Sequence, residues 1–221
     1  MAQRRIEQGE LDELVRKHKL WLEGKDGGEK LVLIDCDLTG SNLTGSNLSW
    51  SNLTGSDLSR SNLTGSNLTR SNLTRSNLRG SDLSRSNLSG SNLTGSNLSW
   101  SNLTGSNLRG SDLSRSNLSG SNLSGSNLSW SNLSGSNLSW SNLTGSNLDY
   151  SVLPLWCGSL KANFDDKQLI QIAYHLVKAG LNSDNASNET KTELEKLIDF
   201  ANKFHRVDEC GKIEPITKEK E

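Results

Sequence analysis

Residues 91–100 read Ser-Asn-Leu-Thr-Gly-Ser-Asn-Leu-Ser-Trp, which is two copies of a pattern with serine first, asparagine or aspartate second and leucine third. The pattern runs without a break from Ser41 to Tyr150, as 22 consecutive pentapeptides. A period of five matches neither regular element, because it scatters residues around a helix and sends them to alternate faces of a straight strand. The chain must therefore bend once per pentapeptide if all the leucines are to share one side.

Regular bending predicts a solenoid. If each bend is about 90°, four pentapeptides close a coil of about 20 residues, and stacked coils enclose their leucines. Burying one leucine side chain is worth roughly 1.5–3 kcal/mol, so a column of leucines in register supplies the whole core. We expect the core at Leu43, Leu48, Leu53, Leu73, Leu93, Leu113, Leu133 and Leu148.

The pattern resembles the motif of the pentapeptide-repeat family, Ala-(Asp/Asn)-Leu-x-x, and the resemblance covers residues 31–155. It implies an all-β solenoid, specifically a right-handed quadrilateral β-helix. Serine stands at the first, inward position where the family usually has alanine, so each hydroxyl needs a partner, either a nearby carbonyl or the next serine in the stack. The second-position asparagine or aspartate can bond its own turn backbone.

The fifth position of the pentapeptide lies at the predicted corner of the coil. It is glycine in 12 of the 22 modules and tryptophan, arginine or tyrosine in the other 10. Because bulky residues disfavour a positive φ, we expect that this conformation is not required at every corner.

The repeats separate two flanks of different character. Residues 1–30 and 156–221 carry amphipathic helical patterns, whereas the solenoid occupies residues 31–155. An open coil presents unpaired backbone groups and exposed leucine, and terminal caps prevent such ends from stacking on one another. We therefore interpret the flanks as N- and C-terminal α-helical caps.

Helical spacing gives the boundaries of these caps. The first helix is predicted from about Glu7 to Glu23. The second is capped by Asp165 or Asp166 and runs to Ala179, with Gly180 just beyond it, and the third runs from about Asn188 to Phe204. The residues expected to cover the coil ends are Leu14, Val15, His18, Trp21, Trp156, Ile172, Leu176, Leu197 and Ile198.

Composition narrows the classes of function. A net charge of −1 gives no bias toward nucleic acid or anionic membrane, and no apolar run is long enough to cross a bilayer. Three widely spaced cysteines indicate reduced thiols rather than a disulfide framework. With no signal-peptide pattern at the N-terminus, we expect a cytoplasmic protein without a membrane partner.

The outward positions offer candidate binding surfaces. Tryptophan occupies four corners (Trp50, Trp100, Trp130 and Trp140), which we interpret as decoration on two opposite columns rather than one contiguous patch. Residues 41–150 carry seven arginines against four aspartates, a net of +3. We expect each aspartate of an Asp-Leu-Ser-Arg module to form a weak surface ion pair with its arginine.

Neither clustered metal ligands nor a nucleophile beside a base can be identified, so we expect no enzymatic activity, no cofactor and no metal. The leading interpretation is a monomeric structural scaffold. The monotonous middle is interpreted as a consensus-designed array between natural caps, and a natural low-complexity array is the alternative origin. The alternative is a protein-interaction module acting through flat faces. The family that the chain resembles includes proteins that bind DNA gyrase and are thought to imitate the negative charge of DNA. The net charge of residues 41–150 is positive, which is the opposite sign. Nucleic acid is disfavoured because the arginines spread over all four columns, and an ice-binding array of hydroxyls is a minor alternative.

Overall fold

The computed structural model describes residues 3–154, 162–183, 185–203 and 207–215, except the side chains of 209 and 210. The chain divides into two compact units, residues 1–163 and 164–221. In the first, strand β1 (Arg4–Arg5) and helix α1 (Gln8–Leu22) precede the repeats, and β1 pairs in parallel with strand β2 (Cys36–Asp37).

The repeats form stacked coils of 20 residues. Second-position residues 20 apart make parallel β-bridges in an unbroken series, from Val32 with Asn52 to Asn132 with Val152. The last bridge of the series, Asn142 with Asn163, spans 21 residues, so the regular spacing changes there by one residue. The solenoid predicted from the leucine spacing is confirmed, and so is the coil of 20 residues expected for bends of about 90°.

Backbone hydrogen bonds join each coil to the next at three points in each module of residues 41–130. In a typical module the N–H of Leu63 donates to the carbonyl of Asp82 at 2.7 Å, and the N–H of Gly65 donates to Ser84 at 2.9 Å. In the opposite sense, the N–H of Asp82 donates to Ser61 at 3.0 Å. This parallel ladder satisfies the backbone of a coil whose sides are too short for conventional strands.

The corners correct one expectation from the sequence. All 22 fifth-position residues have positive φ, including the ten that are not glycine, whose values lie between 56° and 65°. Each corner is closed by a bond such as that from the N–H of Ser66 to the carbonyl of Leu63 (3.0 Å), with the fifth residue third in the turn, as in type II. Because the N–H of the fifth residue must also reach the next coil, the ladder imposes this conformation whatever the side chain.

The inward positions are filled by leucine and serine. The eight leucines named as core are at most 3% exposed. As expected for serine, Ser61 donates its hydroxyl to the carbonyl of Leu58 at 2.6 Å, and 12 other first-position serines make the same bond three residues back. Five buried hydroxyls have no partner within the described residues: Ser51, Ser66, Ser96, Ser106 and Ser126.

The second-position residues bond their own turns, as predicted. The side-chain oxygen of Asn62 accepts from the N–H of Thr64 at 3.0 Å, and equivalent bonds recur along the repeats. Some amides also join successive coils, since Asn97 donates to the side-chain oxygen of Asn77 at 3.3 Å. The turn residues therefore support the ladder as well as the corner.

The second unit is helical, with α2 (Asp166–Leu181), α3 (Asn188–Glu195), α4 (Ile198–Ala201) and α5 (Val207–Cys210). A capping box begins α2, with Asp165 accepting from the N–H of Gln168. The helix continues through Gly180, past the predicted end at Ala179. The predicted third helix is divided into α3 and α4, and its expected end, Phe204, lies outside the described residues. The buried apolar residues of this unit are Tyr174, Val177, Leu181, Ile198, Ala201 and Ile213.

Candidate interaction surfaces

The N-terminal flank pairs with the edge of the first coil. The N–H of Ile6 donates to the carbonyl of Asp37 at 3.0 Å and extends the β1–β2 pairing. The side chain of Gln8 then takes the place of a strand: Nε2 donates to the carbonyl of Asn42, and Oε1 accepts from the Asn42 N–H, both at 2.9 Å. Backbone groups that would otherwise form an open edge are therefore satisfied.

His18 closes a further part of this edge from helix α1. Its Nδ1 accepts from the N–H of Leu31 at 3.1 Å, and its Nε2 lies 3.0 Å from the carbonyl of Ser49. The side chain is fully buried, and its ring stacks on Trp21 with centroids 5.4 Å apart. Burial, with a smaller contribution from Lys30, lowers the pKa of His18. The histidine therefore binds the coil as a neutral ring.

The other residues expected in the N-terminal cap are less buried than His18. Leu14 and Val15 are half-buried, and Trp21 is 38% exposed. Ile6 and Leu11 are fully buried instead. Leu11 lies within the first helix predicted from the sequence, whereas Ile6 precedes that helix, where no periodicity could indicate it. Helix α1 itself agrees with the predicted bounds to within one residue at each end.

The residues expected in the C-terminal cap do not form one buried face. Ile198 is buried and Ile172 half-buried, but Leu176 and Leu197 are 56% and 42% exposed, which corrects the stripes predicted for these helices. Tertiary packing turns a different side of α2 inward, because its buried residues are Gln168, Gln171, Tyr174, Val177 and Leu181. Trp156 lies outside the described residues.

Three of the four exposed corner tryptophans have a different neighbour one coil onward. The guanidinium of Arg70 lies 4.9 Å from the ring centroid of Trp50, a cation–π contact. Trp130 stacks on Tyr150 with centroids 4.4 Å apart. The ring of Trp100 covers Gly120 so closely that a Cβ there would lie 2.8 Å from it. These stacks run along the solenoid axis, so the tryptophans decorate two corner columns.

The charged residues of the repeats do not pair as expected. Within the described repeats, none of the three Asp-Leu-Ser-Arg modules has an ion pair between its aspartate and its arginine. Asp57 instead accepts from the N–H of Ser59 at 2.8 Å, because the second position is committed to the turn. Arg60 lies at the corner of the same module, with a φ of 58°. The repeat arginines are exposed and have no carboxylate partner in the part of the chain that the structure describes.

Groups suited to chemistry are sparse. No cluster of three or more histidine, cysteine, aspartate or glutamate side chains able to hold a metal occurs among the described residues. The buried thiol of Cys36 lies 3.4 Å from the carbonyl of Ile34, and burial raises its pKa, which favours the unreactive thiol. A shallow pocket of about 350 Å³ in the second unit is lined by Lys178, Lys212 and residues 213–215 among others. No helix of the described chain is long and apolar enough to span a bilayer.

Comparison with known families settles the assignment of the repeats. The family model described as pentapeptide repeats (8 copies) matches residues 32–70, 71–110 and 111–149, together more than half of the chain. The chain belongs to the pentapeptide-repeat family. Its solenoid is therefore the right-handed β-helix of that family, as the resemblance to the family motif implied. No curated protein sequence matches the chain.

Solved structures of other pentapeptide-repeat proteins resemble the chain. The protein Rfr23 from the cyanobacterium Cyanothece 51142 is 27% identical over 62% of this chain and 95% of its own, with a TM-score of 0.27. A trypsin-treated form of QnrB1, a plasmid-mediated fluoroquinolone resistance protein, is 19% identical over 67% and 89%, with a TM-score of 0.32. HetL, involved in heterocyst differentiation regulation in Nostoc sp. strain PCC 7120, is 23% identical over 61% and 77%, with a TM-score of 0.22. At these scores the superpositions add nothing to the family assignment.

Proposed function

We propose that this pentapeptide-repeat protein is a non-catalytic structural scaffold, in which residues 1–30 and 156–221 act as caps on a solenoid. The observation that carries the proposal is the filled interior: every leucine from Leu38 to Leu148 is at most 3% exposed, and serine occupies the other inward position. Such a bore leaves no room for a substrate. We further propose a monomeric protein of the cytoplasm, where the free thiol of Cys36 would stay reduced.

Modularity supports a scaffold that tolerates changes of length. Each coil contacts its neighbours through the same three backbone bonds per module, so one coil can be removed without a new kind of contact arising. The near-uniform modules also fit a consensus-designed array, which would use the repeats as a spacer of chosen length.

Deletion of residues 91–110 tests the scaffold proposal, because it removes one complete coil. We expect a folded monomer with unchanged spectroscopic signature per residue. The matched control deletes residues 91–108, which leaves two extra residues between modules and should lower the midpoint of unfolding clearly more. Equal loss of stability in both deletions, or a specific activity lost only in the first, would contradict a modular scaffold.

A second proposal is a protein-interaction module, and one observation favours it. Trp100 and Trp140 are 65% and 74% exposed and share one corner column two coils apart, which is about 10 Å. Exposed tryptophan is common at the energetic centres of protein interfaces. A topoisomerase partner recognised by imitation of DNA is disfavoured by the net charge of +3 on residues 41–150.

Solution assays distinguish the two proposals and the minor ice-binding alternative. A scaffold should leave gyrase supercoiling unaffected at micromolar concentration and show no thermal hysteresis. Inhibition that is lost in the double variant W100A/W140A, but kept in R79A, would establish the interaction module. Thermal hysteresis would establish the ice-binding alternative.

A further inference from the structure

His18 is positioned between helix α1 and the first coil in a way that demands one protonation state. The Nδ1 atom accepts from the N–H of Leu31, so in the neutral ring Nε2 carries the hydrogen and donates to the carbonyl of Ser49. Both ring nitrogens therefore contact the backbone of the first coil, and the side chain is 0% exposed. Protonation would add a hydrogen to Nδ1, which would then face the N–H of Leu31 and could no longer accept its hydrogen bond.

The surroundings offer a protonated ring no compensation. Lys30, which lies over the ring of Trp21, is the charge that bears on His18, and it has the same sign as an imidazolium. On α1, Lys17 is already paired with Glu29 at 2.9 Å. The coil segment on the far side, residues 46–50, has no titratable side chain. Within the described residues, a charge on the ring would thus be buried without a carboxylate partner.

The neighbouring contacts make the consequence larger than one lost bond. Gln8, ten residues before His18 on the same helix, pairs with both backbone groups of Asn42. Helix α1 therefore contacts the edge of the first coil near its start and near its end. We propose that His18 is an acid-sensitive latch, through which mildly acidic solution releases α1 from the first coil and opens the ladder edge of the solenoid. The latch is independent of whether the repeats serve as a scaffold or as an interaction module.

The direction of the pH dependence follows from proton binding. In the released helix His18 titrates near its ordinary pKa of 6.5, whereas burial and Lys30 hold the pKa lower in the docked state. The released form therefore binds one more proton over the interval between the two values. Docking is fully present above about pH 6.5 and weakens by up to tenfold for each pH unit below it, until the lowered pKa is reached.

Amide hydrogen exchange of the full chain between pH 7.5 and 5 tests the latch, after correction for the intrinsic pH dependence of exchange. We expect protection of α1 and of the Leu31 amide to fall by up to tenfold per pH unit below 6.5, while the Leu93 amide in the middle of the solenoid stays protected. In H18Q, which can accept and donate but not titrate, the pH dependence should disappear. H175Q, which changes an exposed histidine of the second unit, should behave as the wild type.

Two results would overturn the proposal: protection of α1 that does not change with pH in the wild type, or the same pH dependence in H18Q. If H18Q fails to fold, an NMR titration of the wild-type His18 ring decides the question alone. A pKa below 6.5, with loss of the Leu31 amide protection over the same interval, supports the latch. A pKa at or above 6.5 refutes it.

Discussion

Replacing Arg85 by glycine should stabilise the protein, although the substitution only removes side-chain atoms. Arg85 has φ of 57° at a corner, while its N–H donates to the carbonyl of Thr104 at 2.9 Å, a bond that glycine keeps. The left-handed conformation costs a residue with a Cβ about 1–2 kcal/mol. Glycine avoids that strain but loses roughly 0.5–1 kcal/mol through its greater freedom in the unfolded chain. The expected net gain is on the order of 0.5–1 kcal/mol.

Arg79 provides a matched control for the charge and for the loss of the side chain. It lies at a fourth position without positive φ and is exposed, as Arg85 is. Arg79→Gly removes the same positive charge but relieves no strain, so it should destabilise by roughly 0.5–1 kcal/mol. The two variants should therefore move the urea midpoint in opposite directions. Shifts of the same sign and size would refute the argument that the ladder imposes strain at non-glycine corners.

Three further outcomes follow from the interior and the edge. Leu93→Asn should destabilise the protein by roughly 3–5 kcal/mol through lost burial and an unsatisfied amide, whereas Trp100→Gly should change its stability by less than about 1 kcal/mol. Similar urea midpoints for the two variants would contradict the claim that the leucines point inward. Ser96→Ala should stabilise the protein by about 1 kcal/mol because the Ser96 hydroxyl has no partner among the described residues, while Ser101→Ala should be neutral or destabilising because it removes a hydrogen bond to Leu98. Thermal melts that rank the two variants in reverse would contradict the assignment of partners. Deleting residues 1–30 should cause association seen by light scattering, and a truncated protein that stays monomeric would show that the flank is not a cap.

The solenoid could be predicted from the sequence because one interaction, the burial of leucine, dominates its stability. Burial of Leu93 and its counterparts needs an inward direction every five residues, and only a repeated bend supplies it. The turn role of Asn62 followed equally from its short side chain. The conformation of Trp100 could not be predicted, because φ at that corner is set by the neighbouring coil rather than by the residue itself.

The flanks were harder to predict because their faces depend on tertiary partners. Periodicity identified α2 but selected Leu176 for burial, whereas the structure buries Gln171 and Tyr174 on another side. Gln8 bonds both backbone groups of Asn42 as a strand would, but a single side chain makes these bonds and therefore leaves no periodic pattern in the sequence. His18 was expected in the N-terminal cap, but its two bonds to the coil depend on backbone groups that only the folded edge presents.

The ladder between coils also determines how the molecule would respond to mechanical load. Its hydrogen bonds, such as that from Leu63 to Asp82, join one coil to the next. Tension between the chain ends would therefore detach the coils one after another, beginning at a terminus. Each released coil of 20 residues would lengthen the chain by roughly 65–70 Å, in nearly identical steps. A protein built this way yields in equal increments under tension, and the contacts of Gln8 and His18 determine the force at which the first increment is released from the N-terminal end.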